Sequence, residues 1–304
     1  MADYREISKI FPAIEDFLRN QALIRLRGDV LAYAGDIRTP SFSTDSRGFR
    51  HTMLNGQSLS IVDCVNSGHY GLVLGASNSF GFGVAGNENT MASRLSQRFG
   101  YPFANCAMPG ASSRNLNSVL IAIIAGAPRP PSTVILSSGG DLATFCNASY
   151  ADPVFGSPNR NQIAAEFDRG RAPPDPEPHF RHLLSFTSLW AEVIARTCLR
   201  QGAKLLMVHQ STFFETSEPT PRDEAFRLGV PLNVHEARSY ANHVRFNGGF
   251  FAKRKAVADH LGVPLAGWRE TEQLTFVDEF HLDRDSTRKL SENVGGEIEK
   301  LAGL

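Results

Sequence analysis

Residues 70–86 read Tyr70-Gly71-Leu72-Val73-Leu74-Gly75-Ala76-Ser77-Asn78-Ser79-Phe80-Gly81-Phe82-Gly83-Val84-Ala85-Gly86. Leu72, Val73 and Leu74 form an apolar run that stops at Gly75; a small polar cluster, Ser77 to Ser79, follows before further glycines and a helix expected from Asn89. An apolar run closed by glycine and followed by a helix is the pattern of a buried strand, a tight turn and a helix. In a parallel sheet such a turn lies at the carboxyl edge of the strands, where ligands bind. A serine there is exposed and close to the amide dipoles of the helix start, which makes Ser77 the first candidate for chemistry.

The same rhythm continues downstream. Strands are expected at 103–107, 133–137 and 204–209, with a short last one at 263–267. Helices are expected at 115–124, 183–199, 237–261 (interrupted at Asn247-Gly248-Gly249) and 286–301. Alternation of this kind argues for a parallel α/β sheet. Upstream, Ile7, Ile10, Phe11, Ile14, Phe17, Leu18 and Leu23 recur at helical spacing within residues 4–27, predicting an amphipathic helix packed on the domain. Residues 29–65 are turn-rich, and the alternation at Ser58–Val62 suggests a small hairpin or edge structure. The expected organisation is an N-terminal helical and β-rich extension, 1–67, then a main domain, 68–304, with a Pro-rich insertion at 150–180. A second irregular excursion spans 211–235. Insertions at the carboxyl edge commonly shape a site, so residues 150–180 and 211–250 are expected to line the substrate pockets.

Composition narrows the function classes. The 304 residues carry 31 basic and 31 acidic side chains, a balance that does not point to nucleic acid or an anionic membrane surface. No segment approaches the roughly 18 apolar residues of a membrane span. The amino terminus, Met1-Ala2-Asp3-Tyr4-Arg5-Glu6, has neither the basic region nor the apolar stretch of a secretory signal. Cys64, Cys106, Cys146 and Cys198 lie far apart with no metal-ligand spacing, as buried thiols would in a reducing compartment. The expectation is a cytoplasmic protein acting on a small molecule, with no cofactor and no metal. The N-terminal helix could additionally join copies of the chain in a homo-oligomer.

Three strand ends finish in small residues that let a backbone approach a ligand: Gly75–Ser79, Pro109–Ser113 and Ser138–Asp141. A late Asp278-Glu279-Phe280-His281 precedes the terminal helix. Serine at a strand end with a late aspartate and histidine supplies nucleophile, orienting acid and general base for acyl transfer. Gly81-Phe82-Gly83-Val84-Ala85-Gly86 matches a dinucleotide fingerprint, but it starts several residues beyond the strand end. The acid expected about 20 residues on is also missing, Asn105 and Cys106 standing there instead, so the nucleotide reading is set aside.

In the order and spacing of these blocks the chain resembles the SGNH hydrolases, the esterase superfamily also called GDSL. The resemblance covers residues 68–304; Asp45-Ser46-Arg47-Gly48-Phe49-Arg50 also resembles a segment that precedes the hydrolase domain in some bacterial members. It implies a three-layer α/β/α fold with flavodoxin-like strand order, Ser77 as nucleophile, His281 as base and Asp278 as its orienting acid. It further implies an oxyanion hole from the amides of Ser77 and Gly110 and from the position held by Gly140. Two residues depart from the family pattern. Ala76 replaces the aspartate of the first block, and Gly140 replaces the asparagine whose side chain donates to the oxyanion; Asn78, Asn115 and Asn147 are candidate substitutes for that donor. Asp141 reads as a structural residue tying loops together. The implied activity is hydrolysis or transfer of an acyl group on a small-molecule or carbohydrate ester. A catalytically degenerate SGNH-fold binding or assembly protein is the alternative.

Overall fold

The computed structural model describes residues 11–147, 176–209, 212, 234–267, 274–277 and 281–303. Helix α1 (Ala13–Gln21) turns Ile14 and Phe17 fully inward. It ends earlier than the apolar spacing predicts, because from Ile24 the pattern changes to period two. Ile24–Arg27 (β1) pairs antiparallel with Val30–Tyr33 (β2). A second hairpin joins Thr52–Leu54 (β3) to Gln57–Leu59 (β4) through Asn55 and Gly56, both at positive φ. That is the turn chemistry a two-residue hairpin favours. The alternation at Ser58–Val62 does not continue as a strand. Ser60 and Asp63 form a capping box that starts α2 (Ile61–Asn66).

The main sheet holds β5 (Gly71–Leu74), β6 (Phe103–Asn105), β7 (Thr133–Leu136), β8 (Lys204–Val208) and β9 (Leu265–Ala266), all parallel, in the order β6-β5-β7-β8-β9. This is the flavodoxin-like order. β5 and β7 are buried at every position, as expected of strands covered on both faces. On one face Leu72, Leu74, Val134, Leu136, Leu205 and Met207 pack against α5 (Ser113–Gly126), α7 (Pro176–Arg200) and α8 (Val234–Leu261). On the other, Val73, Ile135, Leu206 and Val208 pack against α4 (Met91–Phe99) and α9 (Arg284–Ala302). The expected three-layer α/β/α architecture is the one found.

Two boundaries differ from the sequence reading. α7 begins at Pro176, inside the span read as irregular, since proline is tolerated in a first helical turn. α8 runs unbroken through Asn247-Gly248-Gly249. Gly249 is there for packing: a Cβ on it would stand 3.2 Å from the Phe180 ring, whose centroid lies 4.4 Å from that of the tilted Phe246 ring. The four cysteines are free and buried, and burial pushes the Cys64 and Cys198 thiols up to about 12.

The N-terminal extension shares its core with the sheet. Phe17 stacks on Phe42 (4.5 Å) and meets Phe80 and Phe82, which follow Ser77 in the chain. Behind these rings lies Arg50, one of the largest fully buried side chains, its pKa pulled down to about 9 by burial. Every guanidinium N–H is engaged. Nε donates to Asn87 Oδ1 (2.9 Å), Nη1 to the carbonyls of Phe80 (3.2 Å) and Gly81 (2.7 Å), and Nη2 to those of Val84 (2.9 Å), Gly86 (3.1 Å) and Ser41 (3.3 Å). A planar five-donor fork suits this ring of carbonyls as a three-donor ammonium cannot. Arg50→Lys is therefore expected to leave buried carbonyls unpaired and cost about 2 kcal/mol. A lowered urea midpoint at unchanged denaturant slope checks it.

Candidate active site

The topological switch point of the sheet lies at β5, between β6 and β7, and the small-residue turns after these three strands converge there. They are laced by backbone bonds: Met108 N–H donates to Gly75 O (3.0 Å), Ala76 N–H to Ser138 O (3.2 Å) and Gly140 N–H to Ala111 O (2.7 Å). Asp141, buried, accepts from both the amide (2.8 Å) and the hydroxyl (2.7 Å) of Ser113. Burial raises its carboxyl pKa against the pull of those bonds and of Arg254. This is the loop-tying part read for it. Arg254 is itself buried, its pKa lowered by that burial to about 10, and its Nη2 donates to Leu136 O and Val208 O, closing the edge between β7 and β8.

Ser77 opens a single helical turn, α3 (Ser77–Phe80), directly after β5. Gly81 ends that turn at φ +85°, a conformation that costs glycine no steric penalty, and its amide returns to the Ser77 and Asn78 carbonyls. Phe82 N–H also donates to Ser77 O (2.9 Å). The nucleophile candidate thus sits on a tight, half-buried turn with its hydroxyl free to face another element.

What it faces is His281. The imidazole Nε2 lies 2.6 Å from Ser77 Oγ, across 204 positions of sequence. His281 is held from several sides: its carbonyl accepts from Val277 N–H (2.7 Å), Phe276 and Leu282 bridge as an antiparallel pair, and the Phe82 ring lies 4.4 Å from the imidazole. Leu282 N–H donates to Asn78 Oδ1 (3.0 Å). Asp278, the expected orienting acid, lies outside the described residues, as do most of the segments expected to form the substrate pockets.

Gly110 occupies the turn after β6 at φ +78°, a conformation glycine adopts without steric cost, and is exposed. Among the described residues nothing accepts from the amides of Ser77 or Gly110. The amide of Gly140, by contrast, is committed to Ala111. Of the candidate substitute donors, Asn115 is occupied in the cap of α5: its oxygen accepts from Ser112, and its Nδ2 donates to Asp29 O at 3.3 Å. The side chain of Asn147 lies outside the described residues. Sequence reading did not single out Arg50, Phe82 or the bond from Asn78 to Leu282, because each depends on which distant segments the fold brings together.

No family model matches the chain, and no curated protein matches it in sequence. Solved structures do match in shape. One aligns over 78% of this chain and 99% of its own length at 13% identity, with a TM-score of 0.50. The likeness is one of fold. Others include the psychrotrophic esterase EstA from Pseudoalteromonas sp. (12% identity, 77% and 99% covered, TM-score 0.45). A member of the lipolytic protein G-D-S-L family from Veillonella parvula DSM 2008 aligns at 12% identity, with 74% and 96% covered and a TM-score of 0.42. The three-layer α/β/α fold with flavodoxin-like strand order, which the sequence blocks imply, is the fold this chain has. Among the described residues no helix is long and apolar enough to cross a membrane, and no cluster of histidine, cysteine and acidic side chains could hold a metal ion.

Proposed function

We propose that this protein is a serine esterase of the SGNH type that hydrolyses or transfers the acyl group of a small-molecule or carbohydrate ester. The observation that carries this reading is the 2.6 Å contact between Ser77 Oγ and His281 Nε2 at the switch point of the sheet. In the proposed reaction Ser77 Oγ attacks the acyl carbon as its proton passes to His281 Nε2. The carbonyl oxygen gains the negative charge and is held by the amides of Ser77 and Gly110. Collapse of the tetrahedral intermediate breaks the ester C–O bond, and the leaving alkoxide takes the proton back from His281. The acyl-enzyme then reacts with water, or with an acceptor alcohol in the transferase variant, by the same steps in reverse. Asp278 is assigned the carboxylate that accepts from Nδ1 and holds the imidazole in the right tautomer.

The test is covalent labelling. A fluorophosphonate probe is expected to modify wild-type protein at Ser77 and to leave Ser77→Ala unlabelled. Intact-protein mass and peptide mapping read the site. Labelling elsewhere, or none alongside turnover of short acyl esters, sinks the proposal. Product partition with added alcohol separates transfer from hydrolysis.

One observation favours a second reading, a binding protein that keeps the fold without the chemistry. Position 140 has no side chain to offer an oxyanion, and its amide is already bonded to Ala111. That reading predicts no turnover across a panel of short acyl esters, together with a stable complex.

A further inference from the structure

Resting on the esterase reading, we infer that Asn78 is a positioning residue that locks the histidine loop to the nucleophile turn. Ser77 and His281 come from loops 204 residues apart, and proton transfer between them needs alignment to a fraction of an ångström. Two bonds link the same two dipeptides. Ser77 Oγ meets His281 Nε2 at 2.6 Å, and Asn78 Oδ1 accepts from Leu282 N–H at 3.0 Å. The donor is a backbone amide, so the Asn78 atom facing it must be the side-chain oxygen, whichever way the amide group would otherwise be assigned.

The strap acts on backbone immediately beside the base. Val277 N–H holds the carbonyl of His281, and Asn78 holds the next amide along. Leu282 is buried and bridges Phe276, so the peptide linking it to His281 is anchored on both sides. On the opposite side, Asn78 stands in the same helical turn as Ser77, whose carbonyl accepts from both Gly81 and Phe82. Swinging the 281–283 segment away from the serine requires breaking the Asn78 bond. This role differs from the oxyanion donor considered for Asn78, because its oxygen faces Leu282 and the bond serves the base.

Two substitutions separate positioning from a generic loss of packing. Asn78→Ala removes the acceptor, and kcat is expected to fall about ten- to a hundredfold with KM held within about threefold. Asn78→Asp keeps an acceptor of the same shape, so the plateau kcat at high pH stays within about threefold of wild type. Its added negative charge beside the imidazole favours the protonated base, so the acid limb of the kcat/KM profile moves to higher pH. In Asn78→Ala that limb stays in place. A structural probe runs alongside: hydrogen exchange at the Leu282 amide is expected to quicken at least tenfold in Asn78→Ala, while core amides of β5 and β7 are unchanged. Wild-type kcat in Asn78→Ala, or a plateau in Asn78→Asp as low as in Asn78→Ala, overturns the inference. So does unchanged exchange at Leu282 in Asn78→Ala. If wild type itself is not labelled at Ser77, the esterase reading fails, and the exchange result still decides the strap.

Discussion

Ser77→Ala is expected to lower kcat on any ester the wild type turns over by about 10⁴-fold or more, with little change in KM. The magnitude follows from what the hydroxyl does. With the nucleophile gone, His281 has no covalent partner to activate, and the remaining amides can only polarise a carbonyl for attack by water. Rate retained at that level comes from binding and oxyanion stabilisation alone, which is why loss of one member of such a unit approaches loss of all of it. The substitution removes one half-buried oxygen from a turn whose backbone bonds, from Gly81 and Phe82 to the Ser77 carbonyl, do not involve the side chain. The variant is therefore expected to fold normally, with a melting temperature near that of wild type. Single-turnover kinetics with a chromogenic acetate ester, backed by the melting curve, is the check. Activity within tenfold of wild type in a well-folded Ser77→Ala protein excludes Ser77 as nucleophile.

The parts of this site that were legible in the sequence are those set by local pattern. Apolar runs ending in small residues mark β5, β6 and β7, and their carboxyl ends are where a parallel sheet must put its ligands. That was sufficient to bring Ser77 and Gly110 to one edge, and the block order of the SGNH resemblance added His281. What local pattern could not show is partnership. Arg50 reads in sequence as one basic residue in a turn-rich stretch, yet it is buried among carbonyls contributed by Phe80 to Gly86. The sequence places the extension on the domain without naming what it meets, and Phe17, Tyr33 and Phe42 complete the aromatic cluster around Phe80. Likewise the apolar stripe of α1 predicts packing on the domain, and the structure supplies the partners: Ile14 meets Val277, and Phe17 joins the main core. In each case the sequence names the residue's chemistry, and only the fold names its partner.

Gly140→Asn is the second large effect, and it runs upward: kcat on short acyl esters is expected to rise by about ten- to a hundredfold. An oxyanion donor removed from a serine hydrolase costs on the order of 10² to 10³ in kcat, and adding one to a site to which two amides are assigned by the proposal is expected to recover a good part of that. The space is available. A Cβ at position 140 would meet Ala111 O at 3.5 Å and the Gly110 Cα at 3.7 Å, ordinary contacts. It would therefore stand beside the backbone whose amide is assigned to the oxyanion. The existing bond from the 140 amide to Ala111 survives, since asparagine has the same N–H. Position 140 also precedes α6 (Asp141–Asn147), and asparagine is favoured at a helix start. Gly140→Ala is the control, filling the Cβ position without a donor, and it is expected to match or fall below wild type. If the asparagine variant is no faster than the alanine variant, position 140 does not face the developing charge. The comparison also separates the two functional readings. A wild type without turnover that gains it through Gly140→Asn has a competent Ser77–His281 pair lacking only a donor, whereas a variant that stays inert leaves the fold to binding.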